Sequence, residues 1–384
     1  MDPLAHRCLE SLFVAAEKSD AGVRTRAAAL TARDLRGYSE LRSLQAKESF
    51  DTTMRAAEID GAVVLTWDPR NEAVTRVALG QLDALASFLD KTTTSTTLEA
   101  AREQFAGLVH GHPVLAKVLE CWRTLRKVRG TTVLDSAKWC AAVQVVDYCR
   151  SRVSTSDQPI RVASAVLFND SKRIEKLAGP LDVLLVGDLE SPQRDERQVW
   201  QELGLFREDQ LMIFAGKLEM RRARVTGLLD SPYAGYAADA VLGLETRPDL
   251  VLSIENQTNF REAARNHYGD PALRIFSAGM PSPAWCLAFG RLLASIDPAV
   301  PVYHWGDYDQ GGFRIAAHIA KVVDRHGRKL LPWKMDPASI PESRRLRASA
   351  MTVRKMHDYA MAAGWPDIAA AIEQHPFTTE QEGL

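Results

Sequence analysis

The stretch VYHWGDYDQGGFRIAAH, residues 302–318, decides how the C-terminal part of this chain is interpreted. It opens on an aromatic and β-branched run typical of a strand, and it closes on apolar residues at helical spacing. Asp307 and Asp309 stand between the two, followed by Gly311 and Gly312. In extended backbone an Asp-x-Asp pair projects both carboxylates to the same side. The stretch therefore predicts a strand, an acidic turn and a helix in direct succession.

Strands and helices alternate on both sides of this stretch. The predicted strands are VLSI (251–254), LRIFS (273–277), PVYHW (301–305) and KLLPW (329–333). The predicted helices are Thr258–Asn266, Pro283–Leu293 and Gly311–Arg325, and a proline suits the first turn of the second. This alternation predicts a parallel sheet flanked by helices, with right-handed crossovers.

Carboxylates follow two of these strands. Glu255 comes directly after VLSI, and Asp307 and Asp309 follow the strand that ends at Trp305. The carboxyl ends of parallel strands share one edge of the sheet, where ligands bind. Three carboxylates gathered there need a proton or a cation, and oxygen-only ligands favour Mg²⁺ or Mn²⁺. The pattern predicts a metal site suited to phosphodiester chemistry.

The residues around this edge suit a phosphate-containing substrate. Gly311 and Gly312 permit close approach of a phosphate, and the amino end of the following helix attracts anions. His304 and Arg314 flank the edge and are candidate substrate contacts. Alternatively, the carboxylates cap helices or pair with Arg261 and Arg314. That alternative explains the carboxylates one by one, but it does not explain their joint placement.

The first segment, residues 3–89, reads as three helices, a hairpin and a further helix, which is the pattern of a winged helix. The hairpin lies in AVVLTWDPRNEAVTRVAL (62–79). Basic residues give this segment a side that could meet DNA phosphates: Arg24, Arg26, Arg33, Arg36, Arg42 and Lys47. A protein-docking module with solvated basic faces is the alternative. The polar run at residues 91–97 predicts a boundary or linker.

The middle of the chain is less distinctive. Residues 98–152 read as largely helical, and arginines at every third position from Arg123 to Arg129 predict a basic stripe on one helix face. Ile160–Leu177 reads as another helix, whereas LDVLLVGDL (181–189) is either a strand or a buried helix. LMIFAGKLEM (211–220) reads as a strand ahead of Arg221 and Arg222. Together these predict a helix-rich unit closed by a strand, a variant of the winged helix.

Composition excludes several classes of protein. The net charge is only -1, so any DNA-binding surface must be a local patch. The five cysteines form no Cys-x-x-Cys pair, which argues against a zinc ribbon or a redox dithiol. No stretch approaches the roughly 20 apolar residues of a membrane helix, and the N-terminus lacks a signal pattern. We expect a cytoplasmic protein that does not associate with membranes.

Glu255, Asp307 and Asp309 together resemble the Toprim domain of topoisomerases, bacterial primases and several nucleases, in which a strand-end Glu and a later Asp-x-Asp bind Mg²⁺. More narrowly, SIENQTNF (253–260), SAGMPSPAW (277–285) and HWGDYDQGGFRIAAH (304–318) resemble the Toprim half of the JetD family. That family supplies the nuclease subunit of bacterial Wadjet plasmid-defence systems. LFNDSKRIEKL (167–177) resembles its Phe-x-Asp-Ser-Lys segment, so the resemblance covers most of residues 160–325.

This resemblance implies a layout like that of the A subunit of type IIB topoisomerases, within a multidomain α/β protein. It implies a winged-helix-like arm at residues 1–92, a helical and winged-helix (CAP-like) domain at 93–235, and a Toprim catalytic domain with a parallel sheet at 236–384. It also implies a homodimer that cleaves circular plasmid DNA. Its partners would be an SMC-type ATPase, a kleisin and a small winged-helix subunit.

By matching positions, the resemblance gives Glu255, Asp307 and Asp309 the catalytic and metal-binding roles. Candidate DNA contacts are basic side chains on the surrounding elements: Lys172, Arg173, Arg221, Arg222, His304 and Arg314.

One departure from the topoisomerase pattern bears on the reaction. Topoisomerases of this layout attack DNA with a winged-helix tyrosine, and residues 162–173 contain no tyrosine. A metal-activated water and hydrolysis are therefore expected. The alternatives are a transesterase that uses Tyr148, Tyr233 or Tyr236, and a DNA-docking adaptor without catalysis. A primase is less expected, since no polymerising module is evident.

Overall fold

The computed structural model describes residues 1–70, 72–152, 156–207 and 211–379. The chain divides into two compact units, residues 1–143 with 179–190 and residues 144–178 with 191–384. Helices and sheets occur in both units, so the protein is of the mixed α/β class. Within the described ranges, no helix combines the length and the apolar character needed to cross a membrane.

Helices and short strands alternate along the chain. The α-helices are α1 (Pro3–Asp20), α2 (Arg36–Ser39), α3 (Leu44–Ile59), α4 (Leu82–Phe88), α5 (Thr94–Phe105), α6 (Val114–Arg123), α7 (Ser136–Ser151), α8 (Ile160–Phe168), α9 (Ala178–Val186), α10 (Glu196–Glu202), α11 (Gln257–Asn266), α12 (Pro283–Ala294), α13 (Gln310–Asp324), α14 (Ala350–Ala362) and α15 (Pro366–Gln374). The strands are β1 (Ala29–Leu30), β2 (Val63–Trp67), β3 (Val74–Leu79), β4 (Gln158–Pro159), β5 (Leu205–Phe206), β6 (Met212–Ala215), β7 (Glu219–Arg222), β8 (Thr226–Leu228), β9 (Ala234–Tyr236), β10 (Val241–Leu244), β11 (Val251–Ile254), β12 (Leu273–Phe276), β13 (Val302–Trp305), β14 (Leu330–Pro332), β15 (Leu346–Arg347) and β16 (Phe377–Thr378).

The first unit opens with the helices and the hairpin expected from its sequence. β2 and β3 form the hairpin, and β1 pairs with the other edge of β3, so the antiparallel order is β1-β3-β2. Cys8, Leu12 and Ala16 recur at helical spacing along α1 and are buried. They belong to one core cluster with Phe50 of α3 and Val77 of β3. The assignment of this segment as a winged helix stays a prediction.

The polar run at residues 91–97, expected to be a boundary or linker, contains the start of helix α5. Thr93 is buried, and its hydroxyl accepts a hydrogen bond of 3.3 Å from the backbone N–H of Thr96 at the start of α5. A threonine at this position satisfies a backbone donor that the helix cannot pair internally.

The basic stripe expected between Arg123 and Arg129 does not form. α6 ends at Arg123, and both Leu125 and Arg129 adopt left-handed backbone, with φ of 56° and 48°. Left-handed residues terminate a helix, so these arginines do not share a helix face. Arg129 forms an ion pair of 3.3 Å with the buried Asp182, and its charge therefore serves the fold.

In the middle of the chain, one expected helix is interrupted and one ambiguous apolar stretch is helical. The helix expected over residues 160–177 is interrupted, because α8 ends at Phe168 and Asn169 adopts a left-handed φ of 52°. The stretch LDVLLVGDL belongs largely to α9, so it is a helix, and Leu181, Val183 and Leu184 are buried in it.

A six-stranded sheet forms the centre of the second unit, in the order β14-β13-β11-β12-β6-β9. The four strands predicted from the alternating pattern, β11 to β14, are present and run parallel. β6 pairs antiparallel with β12, and β9 pairs antiparallel with β6, so the sheet is mixed. β6 lies within LMIFAGKLEM, the strand that was expected to close the preceding helix-rich unit.

Helices α12 and α13 contribute much of the core of the second unit. Phe289 and Leu292 of α12 and Phe313 of α13 are almost completely buried, and they belong to the cluster that contains the strands β11 to β14. Leu287 lies on the same helix α12 but is 43% exposed. The helix therefore offers a buried and an exposed leucine five residues apart.

We predict that Leu292→Ala lowers the free energy of unfolding by about 2–5 kcal/mol, because it leaves a cavity in the core. Leu287→Ala is the matched control, and we expect it to cost less than about 1 kcal/mol. Urea denaturation followed by circular dichroism measures both. Equal losses for the two variants would contradict the packing described here.

Candidate functional site

The parallel pairing of β11 with β13 brings the acidic residues of the two strand ends together. Ile254 lies opposite Trp305 in the register. The backbone N–H of Glu255 continues the ladder, because it donates a hydrogen bond of 3.0 Å to the carbonyl of Trp305. The N–H of Asp307 in turn donates a hydrogen bond of 3.2 Å to Oε2 of Glu255. The convergence expected from the sequence is thus present for the first two carboxylates.

The Asp-x-Asp segment is extended, as its spacing predicts. Tyr308 between the two aspartates is buried and forms a β-bridge with Thr379. In extended backbone the neighbours of a buried residue face the opposite side, which puts Asp307 and Asp309 together. Asp309 also caps α13, since its Oδ1 accepts a hydrogen bond of 2.8 Å from the N–H of Gly312.

The three carboxylates are half-buried and electrostatically coupled. Burial, followed by the negative charges of Asp307 and Asp309, raises the pKa of Glu255 well above its ordinary value. The N–H of Asp307 opposes this shift but does not reverse it. A proton or a cation at this point would relieve the repulsion.

Two glycines allow the close approach of backbone and side chains around Glu255. A Cβ on Gly312 would lie 2.1 Å from the carbonyl oxygen of Asp307, so only glycine lets α13 begin against this turn. A Cβ on Gly306 would lie 3.1 Å from Oε2 of Glu255 and 2.8 Å from Nε2 of His304. The space beside the Glu255 carboxylate therefore depends on the missing side chain of Gly306.

The donor chemistry of this site fits a hard divalent cation, because all three side chains are carboxylates and the pKa of Glu255 is raised. Among the residues that the structure describes, no group of three or more His, Cys, Asp or Glu side chains is already arranged to hold a metal ion.

His304 does not fit its expected role as a DNA contact. The side chain is fully buried on β13, and burial lowers its pKa to about 3, so the imidazole is neutral. Its Nδ1 shares a hydrogen bond of 2.9 Å with the hydroxyl of Ser253 on β11. His304 therefore ties the two strands that carry the carboxylates.

Arg314 forms an ion pair that no pattern in the sequence indicated. Its guanidinium lies 2.6 Å from Glu202 of α10, and Arg194 contacts the other oxygen of the same carboxylate at 2.6 Å. Next to the acidic turn, Gln310 donates a hydrogen bond of 2.9 Å to the hydroxyl of Ser191. The segment that contains α10 thus holds the first turns of α13 in place.

Comparisons with known proteins agree with the family inferred from the sequence. Residues 218–360 match the family model described as the C-terminal part of Wadjet protein JetD. The matched region contains Glu255, Asp307 and Asp309. Residues 218–360 are therefore similar to the C-terminal part of JetD. The resemblance to JetD is therefore confirmed.

A curated relative is Wadjet protein JetD of Bacillus cereus (strain Q1), which is 25% identical over 190 residues. The match covers 47% of this chain and 45% of the relative, so less than half of the relative's length is represented.

The remaining candidate DNA contacts lie at scattered places in and before the region that matches the JetD model. Lys172 is exposed in the turn after α8, and Arg173 beside it is half-buried. On β7, Arg221 pairs with Glu245 at 3.4 Å, whereas the guanidinium of Arg222 lies 4.6 Å from the ring centre of Tyr236. Their DNA-binding roles stay predictions.

We predict that Glu202→Gln destabilises the protein by about 3 kcal/mol, because it removes the charge of the carboxylate that pairs with two largely buried guanidinium groups. Burial alone would raise the pKa of Glu202, but Arg314 and Arg194 outweigh it and the pKa is lowered. The stabilisation is therefore present above the ordinary value of 4.5 and is lost as the pH falls below it.

Urea denaturation of wild type and Glu202→Gln at pH 7 and pH 3.5 measures this difference. The matched control is Glu245→Gln, which removes the exposed partner of Arg221 and should cost less than about 1 kcal/mol. A difference that is unchanged between the two pH values would show that the ion pairs do not provide the stability.

Proposed function

We propose that this protein is a metal-dependent DNA endonuclease with a Toprim-type catalytic domain. The observation that carries the proposal is the half-buried cluster of Glu255, Asp307 and Asp309 at the carboxyl edge of β11 and β13. The raised pKa of Glu255 supports it, because a cluster of this kind requires a cation or a proton. The match of residues 218–360 to the model of the C-terminal part of Wadjet protein JetD supports the resemblance on which the proposal draws.

Glu255, Asp307 and Asp309 would hold Mg²⁺ or Mn²⁺. A divalent ion bound there supplies Lewis-acid polarisation of the phosphodiester and an acidified water as nucleophile. Asp309 also accepts the capping bond from the N–H of Gly312 through its Oδ1.

The protein itself contributes the binding and the orientation of a phosphate. The amino end of the 15-residue helix α13 lies directly after Asp309, and its partial positive charge attracts anions. Gly311 has no side chain, so a phosphate can come close to this end of the helix. The ion pair of Arg314 with Glu202 and the bond of Gln310 to Ser191 fix this end of the helix, so its N–H groups are preorganised.

Hydrolysis is favoured over transesterification, because the three candidate tyrosines are engaged in the fold. The hydroxyl of Tyr148 donates a hydrogen bond of 3.1 Å to Gln158. Tyr233 packs against Phe260, and Tyr236 is covered by Arg222. A topoisomerase-like transesterase therefore remains the second candidate and not the first.

We further propose that the protein acts with the partners of a Wadjet complex, namely an SMC-type ATPase, a kleisin and a small winged-helix subunit. The relative in Bacillus cereus carries the name of that system. A homodimer would place two such sites on circular plasmid DNA, one for each strand. The exposed Lys172, together with Arg173, Arg221 and the basic residues of the first 92 residues, would hold the duplex through its phosphates.

We predict that the protein converts closed circular plasmid to nicked or linear DNA when Mn²⁺ or Mg²⁺ is present. Glu255→Gln should lower the rate roughly 100-fold or more, because it removes a charged ligand and keeps the shape of the side chain. The matched control is Glu262→Gln, an exposed glutamate on α11, which should cleave at the wild-type rate. The assay is run alone and with the three proposed partners, and gels are compared with and without protease.

Each result separates the candidates. DNA that enters the gel only after protease treatment would indicate a covalent tyrosine adduct and a transesterase. If Glu255→Gln supports plasmid processing at the wild-type rate in the complete complex, the protein is an adaptor and the nuclease proposal is wrong.

A further inference from the structure

A cavity of about 270 Å³ opens in the second unit beside the carboxyl end of β12. Trp200 of α10 and Trp285 of α12 line it, together with Phe206 and Phe276. Gln198 of the same helix α10 is within reach of Gly279, since a Cβ built there would lie 3.4 Å from its Nε2. Helix α10 therefore contacts the loop between β12 and α12, next to the cavity.

This cavity lies one strand away from the carboxylate cluster. Phe276 pairs in register with Ile254, the residue before Glu255. The N–H of Ser277 donates a hydrogen bond of 3.0 Å to the carbonyl of Ile254. Neighbouring strands are about 4.8 Å apart. A DNA strand whose phosphate lies at Glu255 would therefore have an adjoining nucleotide within reach of the cavity.

The walls of the cavity are aromatic and largely fixed. The indole N–H of Trp285 donates a hydrogen bond of 3.2 Å to the carbonyl of Phe276, and this bond orients the indole ring. Trp200 is only 1% exposed, and its indole N–H has no hydrogen-bond partner among the described residues. Phe206 and Phe276 are half-buried at the same cavity, so aromatic surface remains open to an occupant.

The charged side chains that line the cavity are one carboxylate and two guanidinium groups. The carboxylate of Asp157 accepts a hydrogen bond of 3.2 Å from the N–H of Ala284 at the start of α12, which holds it in the wall of the cavity. At the rim, Arg197 is exposed, and no ion pair is found for it within the described residues. Arg207 lies over the ring of Trp200 at 4.6 Å. An occupant with a neutral aromatic part inside and a phosphate outside fits this arrangement.

We infer that the cavity takes one unpaired base of the DNA strand bound at the carboxylate cluster. This inference rests on the proposed nuclease function for the identity of the strand. A volume of about 270 Å³ lies just below the roughly 300–1,000 Å³ of ordinary ligand pockets, so it suits one flat ring system. Bases stack on aromatic side chains and on arginine in proteins that bind single strands.

The test compares two probes with the same phosphates, a labelled thymidine hexanucleotide and a hexamer of abasic sugar phosphates. Fluorescence anisotropy measures their affinities for the full-length protein, with Ca²⁺ present to prevent cleavage. We expect the thymidine hexamer to bind roughly 5- to 150-fold more tightly, the range that one stacked base provides. Phe206→Ala should reduce this ratio to about twofold and leave the affinity for the abasic hexamer unchanged.

Two controls separate the cavity from the rest of the surface. Tyr268→Ala removes an aromatic side chain that is 62% exposed, outside the cavity, and should keep the wild-type ratio. Arg197→Ala should weaken both probes alike, because a rim cation contacts the phosphate and not the base. Thermal unfolding of each variant confirms that it is folded.

Equal affinities of the wild type for the two probes, or no binding of either, would overturn the inference. So would a ratio that Phe206→Ala leaves intact. Tight binding of thymidine monophosphate with no gain for the hexamer would also overturn it, because the cavity would then serve a free nucleotide. None of these measurements uses a plasmid or Glu255, so they fail independently of the nuclease proposal.

Discussion

The parallel pairing of β11 with β13 is the constraint on which the rest of the site depends. The register sets Ile254 opposite Trp305, and the ladder continues through the N–H of Glu255. A shift of one residue in either strand would turn its side chains to the other face of the sheet. Glu255 would then leave Asp307, and neither the coupled carboxylates nor the space beside Gly306 would exist.

Gathering three carboxylates at this edge costs free energy, and the surrounding fold offsets that cost. Asp309 is hydrogen-bonded as the cap of α13, and the N–H of Asp307 contacts Glu255. The amino end of α13 adds a favourable partial charge. Beneath the turn, Tyr308 packs between Phe313 and Phe377, which anchors the acidic segment to the core. Burial, followed by the negative charges of Asp307 and Asp309, raises the pKa of Glu255, and raised pKa values of this kind are common at functional sites.

Much of the second unit follows from local signals in the sequence. Buried apolar runs mark the parallel strands, Pro283 marks the start of α12, and carboxylates after strand ends mark one edge of a sheet. Contacts between distant residues could not be predicted in this way. Glu202 and Arg314 are separated by 112 residues, and nothing in either neighbourhood indicates the pairing. The burial of His304 was missed because a strand buried on both faces shows no alternation to separate inside from outside.

Errors elsewhere have similar causes. Periodicity predicted one helix face from Arg123 to Arg129, but left-handed backbone at Leu125 ends the helix, and a leucine gives no warning of that. An apolar run such as that of β6 predicts a strand without indicating which strand it pairs with. The division into three domains at residues 92 and 235, the winged-helix and Toprim assignments and the DNA contacts stay predictions.

Thermal unfolding of the wild type and of Glu255→Gln, in EDTA and with increasing Mn²⁺, tests the central claim that these carboxylates form a metal site. Because folding raises the pKa of Glu255, its ionised form destabilises the metal-free protein increasingly as the pH rises above the ordinary value of 4.5. At pH 8 in EDTA we therefore expect Glu255→Gln to unfold at the higher temperature. Added Mn²⁺ should raise the unfolding temperature of the wild type and leave the variant almost unchanged. An equal rise in both proteins, or no rise in the wild type, would contradict a metal site at Glu255, Asp307 and Asp309.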